Sequence, residues 1–284
     1  MRILVTGARG MLGTELCAAL QGAHEVIGAD LEDFDITDTA ATLAAVRGAR
    51  PDWVIHAAAF TDVDGCEREP DRAFRVNALG TWNVAAACRE TESALIYLST
   101  DFVFDGEKGA PYTEYDAPHP LGAYGASKLA GERHVRELVE AHAIVRTAWL
   151  FARGGKNFVR TILAAAEERG ELKVVGDQVG SPTYAPDLAA AIARHLVGTP
   201  LYGTYHLTNA GSASWADLAE EALRLAGSGA RVVRIAACEW PSPTRRPKQS
   251  VLRRYALELR GADDMRPWQE ALSEMLDRSA KDET

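Results

Sequence analysis

The chain has 284 residues, 47% hydrophobic and 25% charged, a composition that excludes wholesale disorder and leaves room for one large or two smaller folded units. Its formal net charge of −9 excludes a nucleic-acid binder, since phosphate neutralisation needs a basic face. The four cysteines contain no C-x-x-C pair, so no disulfide framework or zinc site is expected, and no apolar run is long enough to span a membrane, so a cytoplasmic protein is expected.

"RILVTG" reads as a short buried strand ending in glycine, "MLGTELCAALQG" as a helix with apolar residues at helical spacing, and "HEVIGAD" as a second strand. "DFDITD" follows, with Thr37 or Asp38 as the cap of a helix over "TAATLAAV". The alternation continues through the strand "DWVIHAAA", a helix from about Asp71 to Glu90, the strand "ALIYLST", a helix through "LGAYGASKLAGE" and the strand "HAIVRTAWLF". The predicted class is therefore α/β, with a Rossmann-type doubly wound parallel sheet over residues 1–150.

The rhythm then loosens. A helix near Phe158 to Arg169, a strand "LKVVG", the turn-rich "DQVGSPTYAPD", a helix to His195 and "GTYHLTN" come first. A helix from Trp215 to Ala226, "RVVRI", the loop "WPSPTRRPKQ" and a helix near Trp268 to Arg278 complete the chain. Residues 151–284 are expected to form a smaller C-terminal substrate lobe, partly interleaved with the last sheet strands, with a frayed tail "SAKDET". Trp82, Trp215 and Trp268 are expected in the core, and His56 is expected to be a satisfied core histidine. "TDVDGCERE", with Asp62, Asp64 and Glu67, reads as a solvated loop and helix start, and no metal-ligand set is read from spacing.

Gly7, Gly10 and Gly13 in "VTGARGMLG" lie between the first strand and the first helix. Glycines there let the backbone approach a pyrophosphate, and the helix N-terminus offers free N–H groups to it. Asp30, at the end of the second strand, is placed to accept from the adenosine ribose hydroxyls. Arg9 in the same loop could instead grip a 2′-phosphate, so NADH and NADPH both remain open. Asp35 and Ile36 fall near the adenine edge, or simply precede the helix cap.

The strand "LIYLST" ends in Ser99 and Thr100, followed by Asp101, at the carboxyl end of the sheet where ligands of open α/β folds bind. Such hydroxyls also terminate strands without any role. The next helix, however, carries Tyr124 and Lys128 four residues apart and hence on one face. A tyrosine with a reference pKa near 10 exchanges protons at neutral pH only if a cation favours the phenolate, and Lys128 is expected to be that cation. Thr100 could orient the same carbonyl oxygen, Lys128 could also hold the nicotinamide ribose, and the chemistry predicted is carbonyl reduction.

Taken together, "TGxxGxxG", Asp30, "HAAA", "VNALGT", "STD" and "YGASK" resemble the extended short-chain dehydrogenase/reductase superfamily. "STDFVFDGEKGAPYTEYDAPHPLGAYGASKLAGE", "RTAWLF", "GKNFVRTIL", "VVGDQVGSPTYAPDLA" and "RRPKQSVL" more narrowly resemble the dTDP-4-dehydrorhamnose reductase family, from Met1 to about Ala271. The resemblance implies Thr100, Tyr124 and Lys128 as catalytic residues. It implies a dinucleotide held by Gly7, Arg9, Gly10, Met11, Leu12, Asp30, Asp35, Ile36, Ala57, Ala58 and Ala59 together with Tyr124 and Lys128. It further implies a dTDP-sugar beside Asp101, Phe102, Trp149, Asn157, Gln178, Ser181 and Arg246, reduced at its 4-keto group to give dTDP-L-rhamnose.

Asn77 is expected to support packing of the catalytic helix. Met11, Phe60 and Phe102 depart from the family pattern, where glutamine or tyrosine is common. Magnesium is left possible, with Glu15 the one candidate ligand, and the protein as a monomer or homodimer. Arg245 and Arg246 are read either as pyrophosphate ligands or as a solvated loop. A dehydratase is disfavoured because Phe102 follows Asp101 where that reaction needs a proton-transferring carboxylate. An epimerase shares the same trio, and a non-catalytic dinucleotide-binding regulatory subunit shares the fold.

Overall fold

The protein is described from a computed structural model over residues 1–277, so the tail expected to fray lies outside the described residues. The first half runs β1 (Arg2–Thr6), α1 (Met11–Gln21), β2 (Glu25–Ala29), α2 (Thr39–Ala49), β3 (Trp53–His56), α3 (Val63–Arg68) and α4 (Pro70–Phe74). A π-helical stretch (Arg75–Gly80), α5 (Thr81–Thr91), β4 (Ala94–Thr100), α6 (Ala123–Leu138) and β5 (His142–Thr147) follow. Then come β6 (Leu150–Phe151), α7 (Phe158–Glu168), β7 (Glu171–Val175), β8 (Val179–Gly180), β9 (Thr183–Tyr184), α8 (Ala185–His195) and β10 (Gly203–His206). The last elements are β11 (Ala213–Ser214), α9 (Trp215–Leu225), β12 (Arg231–Ile235), α10 (Tyr255–Glu258) and α11 (Trp268–Leu276).

Six strands form one parallel sheet in the order β2-β1-β3-β4-β5-β10. Alternate side chains of a strand point to opposite faces, and both faces are covered here. Ile3, Val5, Ile55 and Ile96 point toward Leu12 and Leu16 of α1 and Leu188 and Ile192 of α8. Leu4, Val54, Leu95 and Ile144 point the other way, toward Val46 of α2, Val84 of α5 and Val135 of α6. The doubly wound α/β sheet predicted from the alternation is therefore present. The late elements α8 and β10 belong to its layers, while Phe151, Val159, Leu218, Trp268 and Leu272 build a separate cluster around α7, α9 and α11.

The chain reverses its winding direction at β1, so the segments leaving β1 and β3 run to opposite faces of the sheet and a crevice opens above the carboxyl ends of the strands. Gly7 lies in this crevice at φ +71°, and a Cβ on it would stand 2.7 Å from the Ala58 backbone nitrogen. Only glycine fits the turn. The expected helix from Asp71 to Glu90 exists but is broken by the π-helical stretch, which periodicity does not reveal because it inserts extra backbone without changing residue types. Asp38, not Thr37, caps α2 by accepting from the Ala41 N–H at 3.0 Å.

Candidate active site

A cleft of about 1380 Å³ runs from the β1–α1 loop across the ends of β2, β3 and β4 to Trp149 and Arg246. Every residue expected at the dinucleotide or in the catalytic trio lines it, and so do Asp101, Phe102, Trp149 and Arg246. The N-terminus of α1 begins at Gly10 with no side-chain cap, leaving its first N–H groups directed to the cleft, as a pyrophosphate requires. Asp30 accepts from the Arg9 N–H at 2.8 Å and the Leu31 N–H at 2.9 Å. The residues present thus fit a dinucleotide.

Helix α6 reaches the cleft because its own sequence lets it come close. A Cβ on Gly131 would stand 2.7 Å from the Asn77 carbonyl oxygen. Its first turn is capped from α3, where the Glu67 carboxylate accepts from the Ala123 N–H at 3.0 Å. Asn77, on the π-helical stretch, donates to Ser127 Oγ at 3.1 Å and to the Phe60 carbonyl at 3.0 Å, and accepts from the Phe60 N–H at 2.8 Å. Asn77 therefore ties the loop after β3 to the tyrosine-bearing helix, the packing role expected of it. Asp62 caps α3, whereas Asp64 accepts from Ser242 Oγ at 3.0 Å, so "TDVDGCERE" is more tied than the solvated loop expected.

Tyr124 is half-buried on the cleft wall, and its removal from water there raises its pKa well above the ordinary tyrosine value; the nearby Thr100 hydroxyl works the other way, and the Asp101 charge adds to the rise. Lys128 is pushed down to about 7 by burial, against the opposing charge of Glu132. Its Nζ lies 4.3 Å from the centre of the Tyr97 ring. The expectation that Lys128 lowers the tyrosine is therefore corrected for the protein alone: burial dominates, and the phenol keeps its proton. Phe102 packs edge-on against Tyr124 with ring centres 5.5 Å apart.

Asp101 is buried, accepts from Ser250 Oγ at 2.5 Å and from Thr100 Oγ at 3.1 Å, and is pushed up to about 6 because burial outweighs these bonds. Its folded pKa lies above the ordinary carboxylate value, so its contribution to stability is complete below about pH 3.8 and is lost as pH rises through about 6. Asp101→Asn should remove that component. Between about pH 4 and pH 7 the wild type should lose up to about 3 kcal/mol relative to the variant. Denaturant unfolding across that range checks this, and parallel stability curves would refute it.

His56 is a core histidine as expected: its ring nitrogens meet Thr6 Oγ at 2.7 Å and Thr81 Oγ at 3.2 Å, and burial pushes it down to about 3. Of the remaining sugar-side expectations, Asn157 caps α7 and donates to the Ala152 carbonyl, and Ser181 accepts from the Leu252 N–H. Neither these two nor Gln178 lines the cleft. Arg246 does, paired with Asp64 at 3.3 Å and with its Nε buried without a partner, whereas Arg245 pairs with Glu107 on the surface.

Two tryptophan expectations are corrected. Trp82, on α5, is partly exposed, and of the three only Trp268 is a core residue. Trp215 lines the cleft, stacked on Trp149 with ring centres 3.5 Å apart and planes 6° apart. Trp149 itself has φ +47°, rare for a bulky side chain, and breaks the expected long strand into β5 and β6. Sequence reasoning missed Trp215 and Ser250, since each meets the site through a contact distant in the chain. Among the described residues no group of three or more His, Cys, Asp or Glu side chains clusters to hold a metal, and no helix is long and apolar enough to cross a membrane.

A doubly wound sheet with a glycine cradle at its reversal point and a helix presenting Tyr124 and Lys128 to the same cleft defines the class of dinucleotide-dependent α/β oxidoreductases. Within that class, the chain belongs to the family described as RmlD substrate binding domain, which it matches over residues 1–281. It is 42% identical over 280 residues to a dTDP-4-dehydrorhamnose reductase of Streptomyces griseus, covering 96% of this chain and 92% of that one. A dTDP-4-dehydrorhamnose reductase structure from Clostridium acetobutylicum superposes with a TM-score of 0.96 at 44% identity, covering 99% of this chain and 100% of the other. The Bacillus anthracis enzyme of that name, solved in complex with NADP, gives 0.94 at 40% identity, covering 96% and 98%.

Proposed function

We propose that the protein uses NAD(P)H to reduce the 4-keto group of dTDP-4-dehydro-6-deoxy-L-mannose, giving dTDP-L-rhamnose. The observation that carries this reading is that Thr100, Tyr124 and Lys128 stand together on the wall of the cleft that also contains the glycine cradle. The dinucleotide, when bound there, supplies the hydride to the carbonyl carbon. Tyr124, held protonated by its partial removal from water, donates its proton to the carbonyl oxygen as negative charge develops on it. Thr100 orients that oxygen, and Lys128 adds positive charge near the phenolate left behind. Trp149 forms an apolar side of the sugar subsite, and Arg246, on the cleft wall, offers its guanidinium charge to the substrate pyrophosphate.

The test is stoichiometric: one dinucleotide oxidised per keto sugar, with the product identified by chromatography and NMR. Absence of oxidation, or sugar epimerisation with no net oxidation, would overturn the reading. Arg246→Ala is expected to raise KM for the dTDP-sugar about tenfold, the loss of one charge-assisted contact, and to lower kcat far less. An unchanged KM would remove Arg246 from the substrate site.

A further inference from the structure

Lys128 is only 3% exposed, and an ammonium withdrawn from water that far loses its charge unless something beside it compensates. Glu132 stands one turn further along α6, but its carboxylate is already engaged by Arg146, Arg136 and Ser99. What meets the Lys128 Nζ directly is the face of the Tyr97 ring, 4.3 Å from its centre. A cation over an aromatic face is attracted by the ring quadrupole, and most strongly where water is excluded.

Tyr97 touches the same lysine a second time. Its hydroxyl lies 3.3 Å from the Lys128 carbonyl oxygen, to which it donates, and burial raises its pKa so that it remains a donor. Helix α6 can come this close because a Cβ on Gly131 would collide with that hydroxyl. The ring is itself held by its neighbours in the sheet. Tyr97 is fully buried on β4 and stands in register with His56 on β3, the two ring centres 5.7 Å apart, while His56 is fixed between Thr6 and Thr81.

The other titratable groups facing the Lys128 charge leave this seat in place. His56 is pushed down to about 3 by burial and stays neutral, and the Cys66 thiol of α3 is pushed up to about 11. Tyr124, on the preceding turn of α6, keeps its proton.

We propose that Tyr97 is a positioning residue for Lys128: the face of its ring seats the ammonium and its hydroxyl holds the backbone of the same residue, so the side chain stays charged and fixed on the catalytic helix. The proposal rests on the reading that the cleft reduces a carbonyl with a nicotinamide dinucleotide. Tyr97 does not line the cleft and takes no part in the hydride or proton steps.

The test is the pH profile of kcat/KM for keto-sugar reduction by the full-length protein and four variants. The basic limb that reports loss of the Lys128 proton is identified by its disappearance in Lys128→Met. Tyr97→Leu should move that limb down by about one pH unit and lower kcat/KM about tenfold above neutral pH. Tyr97→Phe, which keeps the ring face, should stay within about threefold of the wild type with the limb unmoved. Adding Tyr97→Leu to Lys128→Met should cost no further activity, because the seat then has nothing to hold. In the wild type, the Lys128 ε-methylene protons should resonate upfield of those of the other lysines through the ring current, a readout by NMR that needs no change at position 97.

An unmoved limb in Tyr97→Leu, or equal losses from that substitution with and without Lys128, makes Tyr97 a core residue only and overturns the proposal. A missing upfield shift in the wild type overturns it as well, and decides the matter if Tyr97→Leu does not fold. Both results leave the reductase reading standing. Absence of dinucleotide oxidation by the wild type overturns that reading and the positioning role with it.

Discussion

Tyr124→Phe should lower kcat for keto-sugar reduction by about 10²–10⁴-fold, the span that a positioned general acid supplies, while dinucleotide affinity changes little. The phenol ring is half-buried on the cleft wall and packed edge-on against Phe102, so removing one oxygen leaves the ring contacts in place. Steady-state kinetics with dinucleotide titration checks it. A variant that folds, binds dinucleotide and still turns over within a factor of about ten would show that the proton comes from elsewhere. A variant that loses folding or dinucleotide binding would make Tyr124 a structural residue.

Glu132→Ala should be the most damaging substitution for stability. The Glu132 carboxylate is buried and accepts from Arg146 Nε and Nη2, both at 2.8 Å, from Ser99 Oγ at 2.6 Å and from Arg136 Nη2 at 2.8 Å. Burial alone would raise its pKa, but the bonds and charge of Arg146, with Ser99 and Arg136, outweigh it and hold the carboxyl below its usual range. Removing the anion leaves the Arg146 guanidinium, one of the largest fully buried side chains, without compensation. A loss of about 3–5 kcal/mol is expected, read as a shift of the denaturant midpoint at constant slope. Replacing both partners by leucine should lose much less, because no uncompensated charge then remains. Equal losses for the single and double variants would disprove the account.

The two predictions differ in how far they could be read from the chain. Gly7, Asp30, Tyr124 and Lys128 were legible because each role is local: a turn, a strand end, or two residues on one helix face. The alternation of strands and helices was legible for the same reason. Ser250 reaches Asp101 across 149 positions, and Glu67 reaches the start of α6 across 56, so neither leaves a mark in local pattern. Trp215 begins an amphipathic helix and looks like any core residue until Trp149 is seen against it. The tuning of Tyr124 was misjudged because spacing gives proximity to Lys128 but says nothing of burial, which sets the larger shift. Asn157 and Ser181 stand in stretches that resemble substrate loops, yet their polar atoms are consumed by backbone groups.

The Trp149–Trp215 stack joins the end of the sheet to the first turn of α9, so the two walls of the cleft meet through a pair of parallel indoles 3.5 Å apart. Two chromophores that close exchange excitation, and the coupling depends steeply on their separation and mutual angle. The cleft therefore carries its own optical ruler, with near-ultraviolet circular dichroism and intrinsic emission reporting any sliding of one wall against the other. No dye or engineered label is needed to time such a movement against the chemical step.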